Sequence, residues 1–128
     1  MATDGLCFNG AVTLSVAVRD RKAAAAWYAQ HLGFELLYDR ADISWCEMST
    51  PVPGMHVGFA DREEPRVGGP VPVLGVEDLA RARAELEAAG VRFDGPNIEH
   101  DGLVKLATFY DPDGHAWMLY EAPAEAAR

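Results

Sequence analysis

The chain has 128 residues, of which 49% are hydrophobic and 24% are charged, and these values are typical of one soluble globular domain. Lysine and arginine number 11 against 20 aspartates and glutamates, so the net charge of -9 opposes the phosphate contacts that nucleic-acid binding requires. We therefore expect neither nucleic acid nor a membrane as a partner, since no apolar run is long enough to cross a bilayer.

The two cysteines, Cys7 and Cys46, lie far apart and do not have the spacing of a metal or redox site. We expect reduced thiols and no disulfide framework. The first ten residues include Asp4 and Gly5 and lack the basic start and apolar core of a secretion signal. These features predict a cytoplasmic protein.

The first module, residues 11–60, has the pattern of a strand, a helix and three further strands. Alternating apolar residues predict the first strand over 11–18. Asp20 is placed to cap a helix that ends at Gly33. The strands predicted after the helix are 34–38, 43–48 and 55–60.

A polar segment rich in glycine and proline, 61–70, is the predicted linker to a second module over 71–122. In this module a helix is predicted from Asp78 to Ala89. The predicted strands are 71–76, 91–93, 103–110 and 116–121. Asp111 to Gly114, with the sequence Asp-Pro-Asp-Gly, predicts a tight turn before the last strand. Glu99 and His100 are assigned to a loop.

The second module repeats the first. Val16-Ala17-Val18-Arg19-Asp20 recurs as Leu74-Gly75-Val76-Glu77-Asp78, and Leu32-Gly33-Phe34 recurs as Ala89-Gly90-Val91. Repetition of one unit at a fixed spacing indicates a duplicated supersecondary structure. We expect two similar sheets that face one another across a cleft, and we expect the functional site in that cleft.

The repeated modules, together with Asp111-Pro112-Asp113-Gly114-His115 before the final strand, resemble the vicinal oxygen chelate superfamily. This superfamily includes glyoxalase I, extradiol dioxygenases and bleomycin resistance proteins. The resemblance covers residues 11–122 and implies an α+β fold in which two βαβββ modules form a curved mixed sheet around the cleft. It also implies a homodimer, because members of this size usually dimerise so that modules from two chains share two sites.

Metal-using members of the superfamily place His, Gln or Glu on the first and last strand of each module. The matching positions here are Thr13, Gly58, Val71 and Met118. Their side chains offer a hydroxyl, a hydrogen, an isopropyl group and a thioether, whereas a catalytic divalent ion requires several oxygen or nitrogen donors. We therefore expect no metal site and no other cofactor.

Strand alternation extends these four positions to a predicted ligand-binding face. Its members are Thr13, Ser15, His56, Gly58, Val71, Val73, Thr108, Tyr110, Met118 and Tyr120. An apolar trough with a few hydroxyls and one imidazole is typical of a pocket for a small molecule. His56 is the best candidate for a catalytic group, because imidazole titrates near neutral pH. A strand histidine with no functional role is the alternative.

The orientation of the third strand stays open at this stage. Trp45 and Glu47 share one face of that strand, and Cys46 and Met48 share the other. Pseudo-symmetry with the second module favours Cys46 and Met48 in the cleft, yet this places Glu47 in the core, where an unpaired carboxylate is costly. If Trp45 and Glu47 face the cleft, they supply an aromatic wall and a carboxylate for a cationic ligand.

Three functions are compatible with these observations. The first is metal-free binding of a small apolar or aromatic molecule, with or without a positive charge, similar to the drug sequestration of bleomycin-type resistance proteins. The second is a glyoxalase-like lyase, isomerase or epimerase that uses His56 and a carboxylate, Glu47 or Glu99, or an atypical metal site. The third is a non-catalytic dimer that regulates a partner. Whether the protein is an enzyme is left open.

Overall fold

The computed structural model describes residues 5–123, and the chain divides into two compact units, one ending at Pro65 and the other beginning at Arg66. Each unit consists of a mixed β-sheet and one α-helix. No helix within the described residues has the length and apolar character needed to span a membrane. The assignment of both units to a single domain with a linker over 61–70 stays a prediction.

The first unit follows the predicted order of strand, helix and three strands. Its elements are β1 (Val12–Val18), α1 (Arg21–Leu32), β2 (Glu35–Arg40), β3 (Trp45–Ser49) and β4 (Met55–Asp61), with a short 3₁₀ turn at Ala41–Ile43. The strands lie in the order β1-β4-β3-β2. β1 is parallel to β4, and the other neighbours are antiparallel.

The second unit has the same strand order with one addition. Its elements are β5 (Val73–Gly75), α2 (Leu79–Ala88), β6 (Arg92–Phe93), β7 (Ile98–His100), β8 (Val104–Tyr110) and β9 (Ala116–Glu121). The order β5-β9-β8-β6 matches β1-β4-β3-β2, and β7 pairs with β8 outside this path. Two mixed sheets, each with a crossover helix between parallel strands, confirm the predicted α+β fold.

Strand β7 corrects the loop assignment of Glu99 and His100. These residues pair with Lys105 and Val104 in an antiparallel hairpin. The carboxylate of Glu99 lies 3.9 Å from Lys105 Nζ. Backbone pairing with β8 stabilises this polar segment as a strand although its own sequence has little β-propensity.

Both helices begin at the predicted aspartates. The Asp20 carboxylate accepts two backbone N–H groups of the first turn of α1, at 3.0 and 3.2 Å, and Asp78 accepts one in α2, at 3.0 Å. Helix α1 ends at Gly33, whose φ of 73° is the left-handed conformation that glycine adopts without steric strain. The predicted start and end of α1 are confirmed.

Helix α1 covers one face of the first sheet. Tyr28 is fully buried and its ring lies 4.7 Å from that of Phe59 on β4. Cys46 and Met48 of β3 are also buried on this side. The open question of the third strand is therefore answered, because alternation places Trp45 and the carboxylate of Glu47 on the opposite face. The residue match that favoured the reverse was wrong, because Glu47 pairs with Gly58 as Thr108 pairs with Met118, so Glu47 corresponds to Thr108.

Arg21 joins the start of α1 to the first sheet by two ion pairs. Its guanidinium lies 2.6 Å from Asp39 on β2 and 2.6 Å from Asp61 on β4. The hydrogen bonds from Arg21 hold the pKa of Asp39 below its usual value. β2, which also carries Tyr38, is thus tied to the helix.

The core of the second unit lies between α2 and its sheet. The buried side chains are Leu79, Leu86, Val91, Ala107, Phe109, Trp117 and Leu119. Before β9, the buried carboxylate of Asp111 accepts the backbone N–H groups of Asp113 and His115 at 3.0 and 2.8 Å. Gly114 donates its N–H to the Asp111 carbonyl at a φ of 94°, which confirms the predicted tight turn.

Candidate functional site

The face of the first sheet opposite α1 carries a hydrogen-bonded group of polar and aromatic side chains. We call it the Glu47 cluster and define it as Tyr38, Trp45, Glu47 and His56. The sheet register brings it together: Tyr38 of β2 pairs with Glu47 of β3, and Glu47 pairs with Gly58 of β4, two residues from His56. Three neighbouring strands thus contribute to one surface.

Glu47 is the centre of the cluster. Its Oε1 accepts the hydroxyl of Tyr38 at 2.8 Å, and its Oε2 lies 2.8 Å from Nδ1 of His56. The hydroxyl of Tyr38 in turn accepts the indole N–H of Trp45 at 3.2 Å. The result is a continuous chain of hydrogen bonds across β2, β3 and β4.

The carboxylate of Glu47 is ionised at neutral pH. The hydrogen bond from His56 is the main reason that the pKa of Glu47 lies below its usual value, and the bond from Tyr38 acts in the same direction against the effect of burial. The Glu47 side chain is 17% exposed and that of His56 is 39% exposed. The charge is therefore largely shielded, whereas the imidazole is accessible from outside.

The six-membered ring of the Trp45 indole lies against Gly58. A Cβ placed on Gly58 would be 1.9 Å from an atom of the indole ring, so only glycine permits this contact. Gly58 is buried by this contact, and Trp45 is half-buried. Gly58 was predicted to line the ligand-binding face. In the structure the indole of Trp45 covers Gly58 and lines the face at this position. Sequence reasoning had left Trp45 undecided, although the cost of burying Glu47 pointed to this face.

Two more predicted residues adjoin the cluster. Thr13 and Ser15 of β1 pair with His56 and Gly58 in the parallel register, and both are exposed. All four predicted site residues of the first unit therefore share one face with Trp45 and the Glu47 carboxylate.

The remaining predicted site residues belong to the second unit. They are Val71, Val73, Thr108, Tyr110, Met118 and Tyr120, and each is exposed or half-buried. Met118 pairs with both Val73 and Thr108, so these three share a face of the second sheet, while Val71 precedes β5. On this sheet the guanidinium of Arg92 lies 4.6 Å from the centre of the Tyr110 ring.

The donor set does not fit a divalent metal. Within residues 5–123, no group of three or more His, Cys, Asp or Glu side chains is arranged to hold a metal ion. At the positions predicted to match the metal ligands of the vicinal oxygen chelate superfamily, the chain has Thr13, Gly58, Val71 and Met118, none of which offers a carboxylate or imidazole. We derive no chemical step through a metal.

An open depression of about 280 Å³ lies beside the β7–β8 hairpin of the second unit. Its polar lining includes Glu99, His100, Lys105 and Glu121. Glu121 accepts the backbone N–H of Leu79 at 2.8 Å, and Glu99 lies near Lys105. These carboxylates have structural partners, and we assign the depression no function.

A family model described as the glyoxalase/bleomycin resistance protein/dioxygenase superfamily matches residues 10–119. The chain belongs to this superfamily. The resemblance deduced from the repeated modules and the Asp111 turn is thereby confirmed. No significant match was found among curated protein sequences.

Several solved protein structures are similar to this chain. TnmS3, an antibiotic binding protein from Streptomyces sp. CB03234, is 24% identical with a TM-score of 0.73, over 91% of this chain and 98% of that one. TioX from Micromonospora sp. ML1 is 21% identical with a TM-score of 0.70, over 88% and 98%. A superfamily member from Sphaerobacter thermophilus DSM 20745 is 25% identical with a TM-score of 0.73, over 87% and 95%.

Proposed function

We propose that this protein binds a small planar aromatic molecule, without a metal, on the face that carries the Glu47 cluster. The observation that carries the proposal is the indole of Trp45, packed over Gly58 and joined by its N–H to Tyr38. The similarity to TnmS3, an antibiotic binding protein, supports a small molecule as the ligand. Sequestration of a drug or metabolite is the corresponding biological role.

The indole is suited to bind a flat ring because its position is fixed before the ligand arrives. One side of it contacts the Gly58 backbone, and the hydrogen bond to Tyr38 sets its rotation. Since Trp45 is half-buried, part of its surface stays open to a ligand. Stacked aromatic pairs contribute about 0.5–1.5 kcal/mol beyond the area that they bury.

The charge of the ligand follows from the state of Glu47. Both carboxylate oxygens already accept hydrogen bonds, from Tyr38 and from His56, so the carboxylate is shielded from a cationic ligand. We therefore propose a neutral or weakly acidic aromatic molecule in place of the cationic ligand that the sequence alone left open.

The other predicted features belong to this proposal as well. The second-unit residues Val73, Thr108, Tyr110, Met118 and Tyr120, with Val71 before them, are proposed ligand contacts, because aromatic rings and a few hydroxyls among apolar groups suit a small organic molecule. We also propose that the protein acts as a homodimer in the cytoplasm.

Acid–base catalysis by His56 is a second candidate function, as a lyase, isomerase or epimerase. It is favoured by the 2.8 Å contact between Nδ1 of His56 and Glu47, because a carboxylate that orients an imidazole is typical of a general base. Turnover of a small substrate by protein treated with a chelator would favour this function over sequestration.

A titration with 7-methoxycoumarin, a neutral planar two-ring probe, tests the binding proposal. Trp45→Ala should weaken binding about tenfold, the loss expected when a stacking surface is removed. Trp27→Ala is the matched control, because Trp27 lies on α1 against Tyr28 and His31. A chelator should leave the dissociation constant unchanged. Equal affinities of folded wild-type and Trp45→Ala protein would contradict the proposal.

A further inference from the structure

We propose that Nε2 of His56 selects the ligand by accepting the proton of an acidic hydroxyl, a phenol or an enol, on the bound aromatic ring. This inference rests on the proposed function, since the ring must first lie on Trp45. It adds a chemical class to the ligand: a planar aromatic molecule whose hydroxyl is close to the imidazole.

The position of the imidazole proton is fixed by Glu47. An ionised carboxylate can only accept hydrogen bonds, so Nδ1 of His56, at 2.8 Å from Oε2, must carry the proton. An imidazole whose single proton is on Nδ1 has a lone pair on Nε2, which accepts hydrogen bonds. Within residues 5–123, Nε2 has no hydrogen-bond partner.

All donors of the Glu47 cluster are used inside it. The hydroxyl of Tyr38 donates to Glu47, the indole N–H of Trp45 donates to Tyr38, and the Nδ1–H of His56 donates to Glu47. The cluster therefore presents only acceptors to a ligand. A ligand with a hydrogen-bond donor can bond to Nε2 of His56. When the ligand has no donor, Nε2 can bond only to water.

Glu47 is placed beside His56 where its charge can balance the positive charge that a transferred proton brings. Its cross-strand neighbours on the same face, Thr13 of β1 and Ser49 of β3, are uncharged, and Glu47 is the one charged group bonded to the ring. When the ligand O–H bond breaks and an Nε2–H bond forms, the ligand becomes an oxyanion and the imidazole becomes positive. The ionised Glu47 carboxylate stabilises that positive charge.

The proposal can be tested with a matched pair of probes, 7-hydroxycoumarin and 7-methoxycoumarin. They share one ring system, but only the first has a hydroxyl, which titrates slightly above neutral pH and gives an anion with its own absorption band. At about pH 7 the phenol should bind about tenfold more tightly than the ether, the gain of one charge-assisted hydrogen bond. Binding should also increase the absorption of the anion.

Variants identify the responsible group. His56→Ala should remove the tenfold preference for the phenol and the anion band, so that the two coumarins bind to this variant with equal affinity. Glu47→Gln should reduce the anion band, because the charge that stabilises the imidazolium is gone. His31→Ala, a change on α1 beside Trp27, is the matched control and should behave as wild type.

Two results would overturn the inference and they are distinguishable. If both coumarins bind equally and no anion band appears, His56 does not accept the proton, and the binding proposal still stands. If neither coumarin binds to folded protein, the binding proposal fails, and the inference fails with it.

Discussion

The indole of Trp45 occupies the space that a side chain at position 58 would need. An added Cβ at Gly58 would lie 1.9 Å from the ring, and Gly58 has an ordinary backbone conformation for a strand. The substitution Gly58→Ala, which adds one methyl group, therefore tests the position of the indole with little change in the backbone. The proposed aromatic surface depends on this one glycine.

Gly58→Ala is predicted to displace Trp45 and weaken binding of 7-methoxycoumarin about tenfold, as removal of the stacking surface does. The near-ultraviolet circular dichroism of tryptophan should change while the far-ultraviolet spectrum is retained. Gly5→Ala is the control, because no atom lies within 4 Å of the added methyl. An unchanged tryptophan signal and unchanged affinity in Gly58→Ala would disprove the role of this contact.

Glu47 is predicted to contribute to stability in a defined range of pH. Its pKa in the folded protein lies below the usual value, so its contribution is present above the ordinary glutamate pKa and is lost as the pH falls through the folded value. Between about pH 5 and pH 3, the free energy of unfolding should therefore fall less in Glu47→Gln than in wild type.

Urea unfolding over this pH range measures the effect. Glu35→Gln, at an exposed glutamate of β2, is the control and should follow wild type. If Glu47→Gln loses as much stability as wild type on acidification, the carboxylate is not held by the hydrogen bonds from Tyr38 and His56.

The sequence predicted part of this site. Alternation predicted that His56 and Gly58 share one face of β4, and they do, because a strand has a fixed period of two. It could not choose the face of β3, since Trp45 with Glu47 and Cys46 with Met48 both fit a strand. Packing of α1 decides between them, and packing depends on contacts that no single strand encodes. The hydrogen bond between Glu47 and His56 likewise required the register of β3 and β4.

The residues that begin and end the helices can be recognised in the sequence. Asp20 and Asp78 begin the helices, and Gly33 ends α1. The caps differ in one respect, because Asp20 accepts two backbone N–H groups and Asp78 accepts one. In α2 a further N–H, that of Leu79, is bound by Glu121.

Asp20→Ala is predicted to destabilise the protein by about 1 kcal/mol, the usual effect of removing an N-cap, and Asp78→Ala by less. The reason is that the α2 N-terminus retains the bond from Leu79 to Glu121. Urea unfolding of both variants gives the comparison. A larger loss in Asp78→Ala than in Asp20→Ala would contradict this account of the caps.

Strand β7 was not predicted from the sequence. Ile98 to His100 is only three residues long and two of them are polar, and the sequence indicated its hairpin turn only as a loop that contains glycine. Pairing with β8 supplies the backbone hydrogen bonds that make it a strand, and such pairing is a property of the neighbour. Short strands at a sheet edge are therefore poorly predicted from their own residues.

At the scale of the whole molecule, the internal repeat was the strongest signal in the sequence. The identical strand orders β1-β4-β3-β2 and β5-β9-β8-β6 correspond to the repeated strand and capped-helix patterns. Membership of the superfamily follows from the same features. The reaction or ligand does not, because one fold supports many functions, and the positions predicted to match the superfamily's metal ligands are Thr13, Gly58, Val71 and Met118 here.

Two-dimensional NMR of the indole N–H groups tests the central claim most directly. The chain has three tryptophans, and their signals can be assigned with single substitutions. On addition of 7-methoxycoumarin, the signal of Trp45 should shift, while those of Trp27 on α1 and the buried Trp117 stay in place. Binding that shifts the other two signals and leaves Trp45 unchanged would contradict the proposed site.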